Sequence, residues 1–213
     1  MKKKPKVAII DISINNILSI KRAMDFVGFE TTIVQEKFNT SLYDLIILPG
    51  VGSFNEGMKR LTLSKLIHSV NDAINKEIEL LGICLGMQLL FKGSYEFGYT
   101  KGIGFFEKDF LPFNNTNAKK ILIGWNEVFF NKKNNFEIQK YIFRKKLNKD
   151  KFYFVHSYYV DIDEKKYEIA YSVNNKTPFS SIVRKNKVTA FQFHPEKSGD
   201  SGIQLLNFFY ENT

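Results

Sequence analysis

The chain has 213 residues, of which 44% are apolar and 25% are charged, a balance that predicts a soluble globular protein. One cysteine excludes an internal disulfide framework, and no apolar stretch approaches the length of a membrane span. The net charge of +9 comes from scattered lysine runs, which favour solvated loops over a nucleic-acid or membrane surface. We therefore expect a cytoplasmic protein with a single domain over residues 1–213.

The first half of the chain predicts buried strands that alternate with helices. Apolar runs indicate strands over residues 7–10, 31–34, 45–48 and 80–83. Asn15 or Asn16 can cap a helix that runs through Phe26 and ends at Gly28, and a second helix is expected over residues 58–75. Because fully apolar strands alternate with helices, this half predicts a mainly parallel sheet with both faces covered.

The second half, after Phe91, has a different pattern of short strands separated by polar turns. Strands are expected over residues 103–106, 121–123, 128–130, 152–155, 169–173, 181–184 and 188–193, and residues 203–210 form a closing amphipathic helix. This spacing favours antiparallel hairpins added to the parallel core. The predicted fold class is therefore α/β, with a mainly parallel central sheet, flanking helices and added antiparallel strands.

The segment around Cys84 carries the strongest chemical signal. A buried strand ends at Cys84, which has Gly82 two residues before it and Gly86 two residues after it. This is the arrangement of a nucleophile elbow, with cysteine in place of serine. The tight turn excludes side chains at the two glycines, and the helix that follows would favour the thiolate. The alternative is a small buried cysteine at a strand end.

A base and a carboxylate occur together near the end of the chain. An alternating strand leads to His194, and Glu196 follows two residues later. If the chain stays extended through Pro195, both side chains lie on one face, and Glu196 can orient an imidazole that activates Cys84. His156 is the rival base but has no carboxylate at the same spacing, and His68 lies in a polar helical stretch.

A glycine-rich turn after the third strand is the last local signal. Gly50 and Gly52 would let the backbone approach a ligand, at the same edge of the sheet as Cys84. The lysine and hydroxyl residue that end a phosphate-binding loop are absent. With one cysteine and three scattered histidines, the sequence predicts neither a metal site nor a cofactor.

Together these segments resemble the class I (triad) glutamine amidotransferases. The motifs that carry the resemblance are Pro49–Gly50–Val51–Gly52, Gly82–Ile83–Cys84–Leu85–Gly86–Met87–Gln88 and His194–Pro195–Glu196. Within that class the length, Gly124–Trp125–Asn126 and the segment from Phe152 to Tyr159 most closely resemble the glutaminase subunit of imidazole glycerol phosphate synthase. That class implies a flavodoxin-like sheet.

The resemblance implies a reaction and a set of site residues. Cys84, His194 and Glu196 would hydrolyse glutamine to glutamate and ammonia through a glutamyl thioester, with the oxyanion held by the N–H groups of Val51 and Leu85. The residues expected to hold L-glutamine are Gly50, Gly52, Gln88, Glu96, Ser157 and Tyr158. Ammonia would pass to a (β/α)₈-barrel synthase subunit in a heterodimer of histidine biosynthesis.

Three alternatives remain open from the sequence. A relative of this family could supply ammonia to an amidotransferase that builds acetamidino sugars of surface glycans. A stand-alone cysteine hydrolase that cleaves γ-glutamyl amides would use the same triad without a partner. A non-enzymatic scaffold is suggested only by the high charge, and the intact set of Cys84, His194 and Glu196 argues against it.

Overall fold

The computed structural model describes residues 4–13, 16–113, 121–131, 136–161 and 167–213. Of the two asparagines expected to cap the first helix, Asn15 lies outside these ranges. The described helices are α1 (Ile17–Val27), α2 (Phe54–Leu63), α3 (Leu66–Asn75), α4 (Leu85–Leu89), α5 (Glu137–Arg144) and α6 (Gly199–Glu211). No helix among the described residues is long and apolar enough to cross a membrane.

Five parallel strands form one side of the largest sheet, from its edge inward. In chain order they are β1 (Lys6–Ile10), β2 (Glu30–Val34), β3 (Leu45–Leu48), β4 (Glu79–Ile83) and β14 (Val188–Phe191). Their order across the sheet is β2-β1-β3-β4-β14, which is the flavodoxin-like order. The last strand of the chain is thus paired directly with β4, although more than a hundred residues separate them.

Antiparallel strands extend the sheet beyond β14 and form two smaller sheets. The remaining strands are β5 (Phe91–Ser94), β6 (Thr100–Lys101), β7 (Phe106–Pro112), β8 (Leu122–Glu127), β9 (Phe129–Phe130), β10 (Lys151–His156), β11 (Tyr158–Tyr159), β12 (Glu168–Asn174) and β13 (Thr177–Lys185). The large sheet continues β14-β13-β12-β9, β10 pairs with β8, and the third sheet has the order β11-β7-β5-β6. The predicted α/β class is confirmed.

Two apolar cores lie on opposite faces of the large sheet. Val7 and Ile9 of β1 face a core that includes residues of α1 and α6, whereas Ala8 and Ile10 face a core that includes residues of α2 and α3. All four of these side chains are fully buried. A central parallel strand buries both faces, so its sequence is continuously apolar rather than alternating.

Several predicted elements differ from the structure. The single helix expected over residues 58–75 is divided into α2 and α3. The two are separated at Lys65, whose φ of +59° is incompatible with a continuous helix. Only the last residue of the strand expected over 103–106 lies in a strand, β7. Helix α5 was not predicted, because its buried Ile138, Tyr141 and Ile142 lie within a polar, lysine-rich stretch.

Candidate active site

The pairing of β4 with β14 brings the two predicted catalytic segments together. Phe191 is the register partner of Ile83, and the Cys84 N–H donates to the Phe191 carbonyl at 2.8 Å. The chain therefore leaves both strands at the same edge of the sheet, with Cys84 after one and His194 after the other. Since ligands of open α/β sheets bind at the carboxyl ends of the strands, this edge is the candidate active site.

Cys84 has the backbone of a nucleophile elbow. Its φ of +53° and ψ of −110° are strained for a residue with a side chain, and its side chain lies among the buried residues. A Cβ at Gly86 would lie 1.7 Å from the Leu48 carbonyl oxygen, and one at Gly82 would lie 2.8 Å from the Leu90 side chain. The two glycines are thus required by close packing around the turn. Helix α4 has only five residues, so its dipole is a minor source of thiolate stabilisation.

His194 and Glu196 form a buried pair, but not in the way the sequence pattern predicts. The chain is not extended here, because Pro195–Lys197 forms a single 3₁₀ turn. This turn brings Glu196 Oε1 to 2.8 Å from His194 Nδ1, and both side chains are almost inaccessible to solvent. Ser198 Oγ donates to the His194 carbonyl at 2.6 Å and fixes the turn.

The environment of His194 favours its protonated form. Burial alone would lower its pKa, but the nearby charge of the Cys84 sulfur and the hydrogen-bonded Glu196 carboxylate raise the pKa of the imidazole to about 10. Its Nε2 has no hydrogen-bond partner of ordinary geometry among the described residues. This nitrogen is therefore free to exchange a proton with the Cys84 sulfur or with a bound substrate.

We expect the protonation of His194 to depend on the Cys84 sulfur. By NMR titration of the histidine Cε1–H signals, His194 of the unmodified chain should stay protonated to about pH 10, and Cys84→Ala should lower its midpoint because burial then opposes the charge. Since the folded pKa exceeds the ordinary 6.5, this interaction stabilises the fold below pH 6.5 and is lost as the pH rises toward 10. An unchanged midpoint would disprove the coupling.

A cavity of about 180 Å³ opens beside the Cys84 sulfur. It contains most of the residues that the resemblance implies, together with three that the sequence did not assign to the site. Its walls are Val51, Gly52, Cys84, Leu85, Gln88, Glu96, Ile121, Val155, His156, Ser157 and Tyr158. Gly50 does not line it, and acts instead through close packing against Leu85.

His156 is part of this wall but does not have the properties of a base. Its Nδ1 is hydrogen-bonded to the Tyr158 carbonyl at 2.8 Å, and the ring packs against Phe179 and other aromatic rings. Burial lowers its pKa to about 4, so the ring is neutral and its Nδ1 is committed to the backbone. His68 is exposed, as expected.

The two N–H groups expected to form an oxyanion hole are not both available in this structure. The Leu85 N–H donates to the Gly50 carbonyl oxygen at 3.3 Å. The Gly50 C=O and the Val51 N–H belong to one peptide and point in opposite directions. Since the C=O points toward the Leu85 N–H, the Val51 N–H points away from it. Rotation of the Gly50–Val51 peptide would release the Leu85 donor and turn the Val51 donor inward.

Two further polar side chains of the site were not assigned from the sequence. Gln192 is buried, and its amide lies 3.9 Å from the Cys84 sulfur and 3.3 Å from the Gln88 amide. The available signal was a polar residue two positions before His194, within the apolar strand predicted over residues 188–193. The other is Asn16, whose side-chain amide donates to Glu196 Oε1.

Glu96 lines the cavity and is held by the start of α2. Its Oε2 accepts a hydrogen bond from the Phe54 N–H at 2.6 Å. Burial, together with the nearby Glu96 charge, raises the pKa of Tyr158, which also lines the cavity. The cavity thus has one carboxylate, that of Glu96, in its wall together with Tyr158 and Cys84.

Comparison with known proteins gives a consistent result. The sequence model of the family "Glutamine amidotransferase class-I" matches residues 8–212. The imidazole glycerol phosphate synthase subunit HisH of Chlorobaculum tepidum is 36% identical over 96% of this chain and 99% of its own length. Subunit HisH 2 of Methanococcus maripaludis is 40% identical over 95% of this chain and 98% of its own length. The structure of PurLQS from Thermotoga maritima has a TM-score of 0.73 at 20% identity, covering 99% of both chains, which shows the shared fold.

Proposed function

This chain belongs to the class I glutamine amidotransferases, and its relatives in that class are HisH subunits of imidazole glycerol phosphate synthase. We propose that it is the glutaminase subunit of such a synthase. It hydrolyses L-glutamine to glutamate and ammonia. The observation that carries this function is the buried contact of His194 with Glu196, which follows the strand paired with that of Cys84, while Cys84 itself lines the cavity. This contact leaves the second imidazole nitrogen for the reaction.

The proposed reaction has two halves that share one proton carrier. The Cys84 thiolate attacks the side-chain amide carbon of glutamine, and protonated His194 donates a proton to the departing nitrogen, which leaves as ammonia. The enzyme then carries a γ-glutamyl thioester. His194 next accepts a proton from water, whose oxygen attacks the thioester and releases glutamate and the thiolate. Glu196 holds His194 Nδ1 throughout and does not take the proton.

Glutamine is held by polar groups of the cavity wall. Gln88, Ser157, Tyr158 and the backbone of Gly52 offer hydrogen bonds to the amino acid, and the Glu96 carboxylate suits its α-ammonium group. Val51 and Leu85 supply the oxyanion donors once the Gly50–Val51 peptide rotates. The reaction is therefore expected to be slow until substrate or a partner favours the rotated peptide.

The partner is a (β/α)₈-barrel synthase subunit that receives the ammonia and makes imidazole glycerol phosphate in histidine biosynthesis. The name of the relatives, a synthase subunit, supports an assembly of this kind. Exposed Trp125 and Ile123 on β8, next to the cavity wall, offer an apolar surface for it.

The test measures glutamate release from glutamine by the full chain with and without a barrel subunit from the histidine genes of the same organism. We expect the partner to accelerate release by about 10-fold or more, since the Leu85 donor is blocked in the free chain. Matched assays use γ-glutamyl anilide without a partner, and an acetamidino-sugar amidotransferase in place of the barrel subunit. Full activity on the anilide alone, or activation only by the sugar enzyme, would contradict the proposal.

A further inference from the structure

The side chain of Asn16 reaches across from the first helix to the catalytic carboxylate. Its Nδ2 donates to Glu196 Oε1, the same oxygen that lies 2.8 Å from His194 Nδ1. The Glu196 side chain is fully buried, and its Oε2 has no hydrogen-bond partner among the residues that the structure describes. Within those residues, Asn16 and His194 are thus the two side chains that bind this carboxylate.

The position of Asn16 makes this contact unexpected. Asn16 precedes the first residue of α1, a position at which asparagine commonly accepts a hydrogen bond from an N–H of its own helix. It makes no such bond, although Asn39 does so at the start of the short 3₁₀ turn Thr40–Leu42. The Asn16 amide is therefore directed to Glu196 instead of to the helix that it precedes.

From this geometry we infer that Asn16 is a positioning residue of the triad, which orients Glu196 toward His194. This inference rests on the proposed function and adds a fourth residue to its catalytic apparatus. A neutral amide suits the task, because it stabilises a buried carboxylate without placing a second positive charge beside the imidazolium. With Oε1 fixed, His194 Nδ1 stays bound to it and Nε2 stays directed toward Cys84.

The segment that carries Asn16 is anchored to the rest of the protein. Arg60 of α2 donates to the Ser13 carbonyl at 2.9 Å and is itself bound to Glu56. The Asn16 carbonyl accepts from the Ile20 N–H and so starts α1. The positive end of this eleven-residue helix lies near Glu196 and adds to the stabilisation of its charge.

Asn16→Asp separates the positioning role from a structural role. Aspartate is as good as asparagine at the start of a helix, but its ionised side chain cannot donate to Glu196 and repels it. We expect kcat for glutamate release, measured with the barrel subunit, to fall about 10- to 100-fold at pH 8, the effect of one hydrogen bond to a charged group. KM for glutamine should change less than about threefold, since Asn16 does not line the cavity.

The dependence on pH gives a second readout. Protonation of the introduced aspartate restores a donor, so the ratio of variant to wild-type kcat should rise as the pH is lowered from 8 toward 5. A structural defect would give a ratio that does not change with pH. Asn39→Ala is the matched control, which removes an asparagine cap far from the triad and should leave kcat unchanged.

Alkylation of Cys84 by iodoacetamide keeps the test independent of the substrate. We expect at least fivefold slower alkylation at pH 7 in Asn16→Asp and in Asn16→Ala than in the wild type, with circular dichroism spectra unchanged. If the wild type does not hydrolyse glutamine, the proposed function fails. The alkylation rates would still test whether Asn16 positions the triad. If Asn16→Asp had the same alkylation rate and the same kcat as the wild type, the inference would be overturned.

Discussion

Replacement of Cys84 by alanine is expected to lower glutamate release by about 10⁴-fold or more, because the nucleophile of the proposed thioester is removed. Glutamine binding should survive, since the residues that line the rest of the cavity are unchanged. Steady-state kinetics with the barrel subunit and calorimetric titration of glutamine measure the two quantities. Undiminished turnover in this variant would contradict the assignment of Cys84.

A glycine at position 84 should distinguish the backbone strain of the elbow from the loss of the nucleophile. Cys84→Gly also lacks the nucleophile, but glycine tolerates the φ of +53° that cysteine and alanine adopt at a cost. We expect its free energy of unfolding to exceed that of Cys84→Ala by about 1 kcal/mol. Equal stability of the two variants in urea denaturation would show that the elbow stores no strain.

The second large effect is expected from Gly86→Ala. The added Cβ would lie 1.7 Å from the Leu48 carbonyl oxygen, an approach that requires β3 and the elbow to move apart. We expect a loss of at least about 3 kcal/mol in the free energy of unfolding, measured by urea denaturation, and loss of glutaminase activity in whatever folds.

Gly104→Ala is the matched control for this change. Gly104 has a φ of +78° but nothing within 4 Å of an added Cβ, so the substitution carries conformational strain without a clash. It should cost about 1 kcal/mol and leave the site intact. If the two variants are equally stable, close packing at Gly86 is not what the fold requires.

The order of elements in the first half of the chain followed from local patterns. Continuous apolar runs identified β1, β3 and β4 because a parallel strand buries both of its faces. Gly28 was correctly placed at the end of α1, where it adopts φ +119°. Patterns were less informative after Phe91, where β5 and α5 were missed because short elements in polar surroundings have weak periodicity.

The sequence by itself predicted the turn at Cys84, since such an elbow depends on glycines two positions away and on the strand and helix that flank it. It also identified His194 with Glu196, although the contact is made through a 3₁₀ turn and not an extended chain. The family followed from the same short motifs, and comparison confirmed it.

Only the tertiary structure decided how these parts meet. The pairing of β14 with β4 closes a separation of more than a hundred residues, and no local pattern encodes which strands become neighbours. The same is true of the Leu85 N–H bound to Gly50 and of the Asn16 amide on Glu196. Each is a contact between side chains or peptides from different elements, so its geometry exists only after the sheet has assembled.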